Sequence, residues 1–277
     1  MKRKMKALCG ALLLTGMLSP AAHAATAYPS YTWDFTGPDN PSAPNTTEST
    51  NWRDFTSGSK TVRVRALYTG NDGATTEFRI RESATGPASG RDYARIHAYD
   101  KGLGIVNPVN TNETSSPNHA TDNSDRDEFL LFDFGEVMDL QSFQIGYGSG
   151  DTDIDIWVGP NNASAFDFFD PTNGLTNGTT VSDLISAGFT KYNTFANVGV
   201  GNLVSTGSNL PGGGNSKGRY MLVSGALNSG NNDAFKFSAL TLTATPTPGT
   251  IALLGIGLIA VAWSRRRGTS PSFKIWA

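Results

Sequence analysis

Apolar and polar side chains alternate with a period of two along most of the chain. Lys60-Thr61-Val62-Arg63-Val64-Arg65-Ala66-Leu67-Tyr68 sets apolar residues against basic ones, the pattern of a strand with one face in a core. Glu77 to Arg81 repeats it. Further strands read at Tyr31 to Phe35, Tyr93 to Tyr99, Asp127 to Phe134, Ser142 to Tyr147, Asp153 to Val158, Arg219 to Val223 and Ala234 to Leu242. Clusters of Gly, Asn, Pro and Ser separate them and supply turn chemistry. One segment has helical signals: Thr180 to Gly188 starts on a hydroxyl, carries Asp183 in its first turn, places Leu184 and Ile185 inside and stops at glycine. Many short strands and one short helix predict a mainly β, antiparallel β-sandwich with jelly-roll-like topology. No fixed-period repeat suggests a propeller or solenoid. The long polar loop from Asn107 to Ser124 is of a kind that on such scaffolds carries function or motion.

The two ends break this pattern. Lys2, Arg3, Lys4 and Lys6 precede an apolar run from Ala7 to Leu18, and Ala22-His23-Ala24 offers the small residues that a signal peptidase reads. This is the pattern of a secretory signal peptide cleaved after Ala24. The other end runs Pro246-Thr247-Pro248-Gly249, then an apolar stretch from Thr250 to Trp263, then Ser264 and Arg265, Arg266 and Arg267. That stretch is shorter than the roughly 20 residues of a full membrane span. The arginines resist translocation, so it suits a transient membrane stop. The chain therefore divides into a signal peptide (1–24), a β-sandwich domain (25–245) and a C-terminal segment of Pro-x-Pro, apolar stretch and arginines (246–277).

Removing the ends changes the charge. The whole chain is formally −2, but residues 25–245 hold 14 Lys plus Arg against 24 Asp plus Glu, a net of −10. Such a surface lacks the basic footprint that nucleic acid requires and suits divalent cations or hydrated polysaccharide. The single cysteine, Cys9, lies inside the signal peptide. The exported domain is thus expected to fold without disulfides or a cysteine-based zinc site.

Thr245 to Leu258, closed by Trp263-Ser264-Arg265-Arg266-Arg267, closely resembles the PEP-CTERM sorting signal. Thr247 stands where that family usually has glutamate, and the tail beyond Arg267 is longer than usual. The resemblance implies recognition by an exosortase in a Gram-negative bacterium that makes extracellular polysaccharide. It also implies cleavage near Pro246, Thr247, Pro248 and Gly249, and a destination at the cell surface or in the extracellular matrix. A second run of short motifs, Gly102-Leu103-Gly104-Ile105, Asp122-Asn123, Glu128 to Phe134 and Leu140 to Gly146, resembles the β-sandwich domain of many exosortase-dependent surface proteins. It implies a surface protein with no assigned catalytic activity.

The densest candidate chemistry is Asp122, Asn123, Asp125, Asp127 and Glu128. Five oxygen-bearing side chains in seven residues suit calcium, which takes six to eight hard oxygen ligands. The same loop also reads as a solvated acidic entry to a strand, and its spacing is not that of an EF-hand. Asp151, Asp153 and Asp155 form a second set that would share one strand face, either exposed or around a cation. His97 reads as structural, and His119 lies in the loop beside Asp122. No His-Glu-x-x-His motif occurs. Gly146 to Gly150 is a turn rather than a nucleophile elbow, and Gly212-Gly213-Gly214 lacks the residues of a phosphate loop. Trp52, Tyr147, Trp157 and Tyr192 could stack on sugars or pack in the core. The sequence reading is a non-enzymatic exported surface or matrix protein, with calcium as its candidate cofactor. Its partners would be signal peptidase and exosortase during export, and extracellular polysaccharide afterwards. The alternatives are a carbohydrate- or cell-binding module and a secreted glycoside hydrolase, the last needing a pair of carboxyl groups in a cleft.

Overall fold

A computed structural model describes residues 28–36, 52–69, 79–81, 94–106, 119–123, 127–160, 179–206, 215–227, 233–245, 256–259 and 261. In chain order the elements are β1 (Ser30–Asp34), β2 (Trp52–Ser57), β3 (Lys60–Thr69), β4 (Arg79–Arg81), β5 (Arg95–Tyr99), β6 (Gly102–Val106), β7 (Thr121–Asp122) and β8 (Glu128–Gly150). Then come β9 (Ile154–Val158), β10 (Thr179–Thr180), α1 (Val181–Ser186), β11 (Thr190–Phe195), β12 (Val204–Ser205), β13 (Lys217–Gly225) and β14 (Asp233–Ala244). The expected mainly β, antiparallel architecture is what forms: the strands join in one open sheet in which every strand pairing is antiparallel.

The organising element is β8. The sequence suggests two strands there, Asp127 to Phe134 and Ser142 to Tyr147, but the chain runs through both as a single 23-residue strand. Its first part pairs with β3 on one side and β13 on the other, from Glu128 to Asp133. Its second part pairs with β14 and β12. Between them the register slips: Asp133 faces Tyr220 while Met138 faces Gly218. Four residues of β8 thus stand against one of β13, which bends a ladder as bulges do. Gly135 adopts φ +71° at this point, and its N–H donates to Asp133 Oδ1 at 2.8 Å.

The bend folds the sheet over one core. That core draws Val62, Val64, Leu130, Phe132, Met221, Val223 and Ile156 from the β2-β3-β8-β13-β9-β11 half. From the β1-β14-β8 half, with the β5–β6 hairpin, it draws Trp33, Phe35, Ile96, Leu103, Phe143, Ile145, Phe235, Phe237, Leu240 and Leu242. Alternation explains the selection, because these are the inward positions of each strand. Phe237 touches both halves, with ring centres 6.1 Å from Phe35, 5.4 Å from Phe132 and 5.7 Å from Phe143.

The outer face of the first half is apolar in one place, where Leu67, Phe129, Leu131, Tyr220 and Leu222 pack under Leu184 and Phe189. Helix α1 supplies that cover. It lies where the sequence places it and opens with a capping box: Thr180 Oγ1 accepts the Asp183 N–H, and Asp183 Oδ2 accepts the Thr180 N–H at 2.7 Å. Beside this patch the outward positions carry charge. Arg63 reaches Asp54 through two bonds of 2.8 and 2.9 Å, and Arg219 reaches Asp133 through two of 2.8 Å. The Arg63–Asp54 pair joins β3 to β2 across the strands, which accounts for one of the basic residues that alternate with the core positions of β3.

Strand β14 lies inside the sheet. One edge pairs with β8 along its length, and the other pairs with β1, β6 and β7. Residues 256–259 and 261 are helical and exposed. Among the described residues no helix is long and apolar enough to cross a membrane.

Candidate functional site

The two acidic sets of the sequence are re-sorted by the fold. Asp125 lies outside the described residues. Glu128 is buried at the start of β8, and its Oε2 accepts the Asp122 N–H at 3.2 Å. Asp127, just before it, is held by burial at a pKa of about 6, above the usual carboxylate range. Asn123 turns the other way. Its Nδ2 donates to Asp233 Oδ2 at 2.7 Å and to the Ala226 carbonyl at 3.1 Å, while its Oδ1 accepts the Asp233 N–H at 2.9 Å.

Asp155 also leaves its expected group. It is fully buried, not on an exposed strand face. Lys191 Nζ donates to it at 2.7 Å, Thr194 Oγ1 at 2.6 Å and the Leu227 N–H at 3.3 Å. The reason is local: β9 begins only at Ile154, so Asp151 and Asp153 precede the strand and do not share its alternation. In place of Asp155 the third member is Asp233, from the start of β14. Carboxylate oxygens of Asp151, Asp153 and Asp233 lie within 4.8 Å of one another.

This trio sits where four segments meet. Asp151 Oδ1 accepts the Thr152 N–H at 2.8 Å, Asp153 Oδ1 the Asn197 N–H at 2.7 Å, and Asp233 Oδ1 the Asp153 N–H at 3.0 Å. The Ala226 N–H donates to the Asp153 carbonyl at 3.0 Å, and the Asn123 N–H to the Asp233 carbonyl at 3.2 Å. The hub therefore ties β7, the β8–β9 connection, the end of β13 and the start of β14 together. Chemically it can gather negative charge for a divalent cation, which would draw its remaining ligands from carbonyls or water. Asp233 was not legible as a member, because it stands 80 residues from Asp153 and no local spacing links them.

The aromatic candidates divide by burial. Tyr192 is a core residue, and Trp157 is half-buried against the patch under α1. Trp52 lies beneath the Arg63 guanidinium, 4.1 Å from it. Tyr147 belongs to an outer-face group with Tyr99, His97, His119 and Lys236. The three rings of His97, Tyr99 and His119 stack with centres 5.6–5.8 Å apart. Lys236 Nζ lies 3.9 Å from the Tyr99 ring centre and 5.4 Å from that of Tyr147. Burial lowers the Lys236 pKa; Lys101 adds to the lowering and Asp100 opposes it. His97 is held at a pKa of about 4, first by burial and then by the charges of His119, Arg53, Arg95 and Lys236. His97 thus lies within a ring stack on its strand, with His119 as a stacking partner.

The sorting residues Pro246, Thr247, Pro248, Gly249, Arg265, Arg266 and Arg267 lie outside the described residues. The structure does describe what leads into them. Ala244 closes β14 opposite Met138, and its N–H donates to the Pro29 carbonyl at 3.1 Å. Thr245 then bonds the Val137 carbonyl twice, through its N–H at 3.4 Å and its Oγ1 at 2.7 Å.

Among known families, the PEP-CTERM protein-sorting motif matches residues 244–267. No curated protein matches the chain.

Proposed function

We propose that this chain, which carries the PEP-CTERM protein-sorting motif and is thereby an exosortase-dependent exported protein, is a non-catalytic component of the cell surface or extracellular matrix of a Gram-negative bacterium. In this reading signal peptidase removes residues 1–24. The apolar segment after Gly249 holds the chain in the inner membrane for a time, and an exosortase cuts near Pro246 to Gly249. The acidic β domain is then left among extracellular polysaccharide or in a biofilm. The observation that carries the reading is the motif match at 244–267, which begins on the last residue of β14 and so follows a domain already complete. Mass spectrometry of the C-terminal peptide from the native host tests it, comparing wild type with a strain lacking the sorting enzyme. The expected result is a wild-type chain ending between Pro246 and Gly249 and a mutant chain keeping Arg265, Arg266 and Arg267. Arginines retained in both strains would refute it.

A second element of the reading is a stabilising cation. The convergence of Asp151, Asp153 and Asp233 favours one at this hub. Calcium at millimolar concentration then raises the unfolding temperature of the wild-type chain and not that of Asp153→Asn. Equal temperatures with calcium and with chelator would remove the cation from the account.

A further inference from the structure

We infer that the rate of processing at the sorting motif is set by detachment of the end of β14 from the fold; this rests on the sorting reading above. The motif has no spacer before it. Its first residue, Ala244, is the last residue of a strand paired on both edges, with Met138 of β8 on one side and the Pro29 carbonyl on the other. Its second, Thr245, is fastened to the Val137 carbonyl by both its amide and its hydroxyl. Pro246 follows directly.

Reach and chemistry both bear on this. An extended chain covers at most about 3.6 Å per residue, so Gly249 lies within roughly 14 Å of Thr245. An enzyme that cuts a peptide takes it in extended form, through main-chain bonds on both sides of the cut. On the amino-terminal side of Pro246 those main-chain groups belong to Ala244 and Thr245, and both are engaged in the fold. The cutting enzyme and the sheet therefore compete for the same amides. The end of β14 is the place where the competition is easiest for the enzyme, because strand ends open at far lower free energy than the whole domain. Among the described residues beyond Ala244, the bonds that hold the chain down are those of Thr245 to Val137. Loss of one hydrogen bond changes such an opening by about 2–10-fold.

The test uses the full-length chain in its native host, with processing followed by pulse-chase and C-terminal mass spectrometry. Eight Gly-Ser residues inserted between Thr245 and Pro246 are expected to raise the rate at least about tenfold, because the enzyme then finds free main chain. Thr245→Val, which loses only the hydroxyl bond, is expected to raise it about 2–10-fold. The same insertion after Gly58, an exposed turn glycine with open space around it, is the control and leaves the rate unchanged. Amide exchange at Thr245 in the purified chain, faster in Thr245→Val than in wild type, shows that the hydroxyl does fasten the strand end. Wild-type rates in both the Thr245 insertion and Thr245→Val would overturn the inference while leaving the sorting reading intact. Retention of Arg265 to Arg267 in wild type and every variant would overturn the sorting reading, and this inference with it.

Discussion

Asn123 and Asp233 show how much one side-chain pair can hold. Both are buried, and three hydrogen bonds join them, two through the Asn123 side chain and one between backbones. Asn123→Ala leaves a carboxylate in the interior short of a donor, and a charged group so exposed costs about 2–3 kcal/mol. Denaturant unfolding checks this; a change below about 0.5 kcal/mol would mean that water replaces the amide without loss. Two other side chains make stability depend on pH, with opposite signs. Asp127 keeps its proton to about pH 6 in the fold against 3.8 when unfolded, so its contribution is greatest below pH 4 and is lost as pH rises towards 6. His97 titrates near 4 in the fold against 6.5, so its contribution is full above pH 6.5 and is lost as pH falls towards 4. Between pH 4 and 6 the two slopes oppose each other. Unfolding curves of Asp127→Asn should therefore show stability rising more steeply with pH than wild type, and those of His97→Gln should show it falling. Parallel curves for all three chains would contradict both assignments.

Single elements carry their own strain and their own cover. Gly135 sits at φ +71° with open space where a side chain would go, so Gly135→Ala meets a conformational cost only, about 1–2 kcal/mol. Gly104 is different: a Cβ there would run into the His119 carbonyl. Gly104→Ala should cost distinctly more than Gly135→Ala in the same unfolding assay, and an equal or smaller cost would show that the hairpin slides freely. Elements with alternating or continuous apolar runs were legible in the sequence: β3, β13 and β14 lie where those runs place them. The ones that escaped have physical reasons. Strand β2 points Arg53 inward beside Phe55, so a charge interrupts the apolar face. Strand β6, Gly-Leu-Gly-Ile-Val, is buried on both faces and has no alternation to read. Strand β11 buries Tyr192 alone and carries an irregularity between Lys191 and Asn193. In β8 the sequence reads Gly146 to Gly150 as a turn, whereas the strand runs on through Gly150, and the bend falls at Gly135 instead. Of the candidate cation site, Asp151 and Asp153 were legible and Asp233 was not, because only the pairing of Asp151 with the start of β14 brings it near.

At the scale of the molecule the last of the described strands is the one the fold depends on. Strand β14 pairs with β1, β6, β7 and β8, and it inserts Phe235, Phe237, Leu240 and Leu242, each no more than 1% exposed, into the core. Neither half of the sheet can close without it: β1 has β14 as its partner strand, and Phe237 links aromatic rings from both halves. Folding during export must therefore wait until residue 244 has crossed, just as the sorting segment begins to follow. The strand boundary at Ala244 and the last hydrogen bonds at Thr245 make this a sharp expectation. A chain ending at Thr245 keeps every described core contact and strand pairing, so its unfolding midpoint should match that of the full chain within about 0.5 kcal/mol, the scatter of changes at unconstrained surface sites. A chain ending at Ala239 loses Leu240, Leu242 and most of the β1 pairing. Removing two large core side chains alone costs several kcal/mol, comparable to the whole stability of a typical domain. That chain should show no cooperative transition and should be cleared by proteases in the host. Circular dichroism melts of the two truncations decide the matter. If the shorter chain melts cooperatively near the longer one, β14 is dispensable, and the domain would be free to fold well before the sorting motif leaves the cytoplasm.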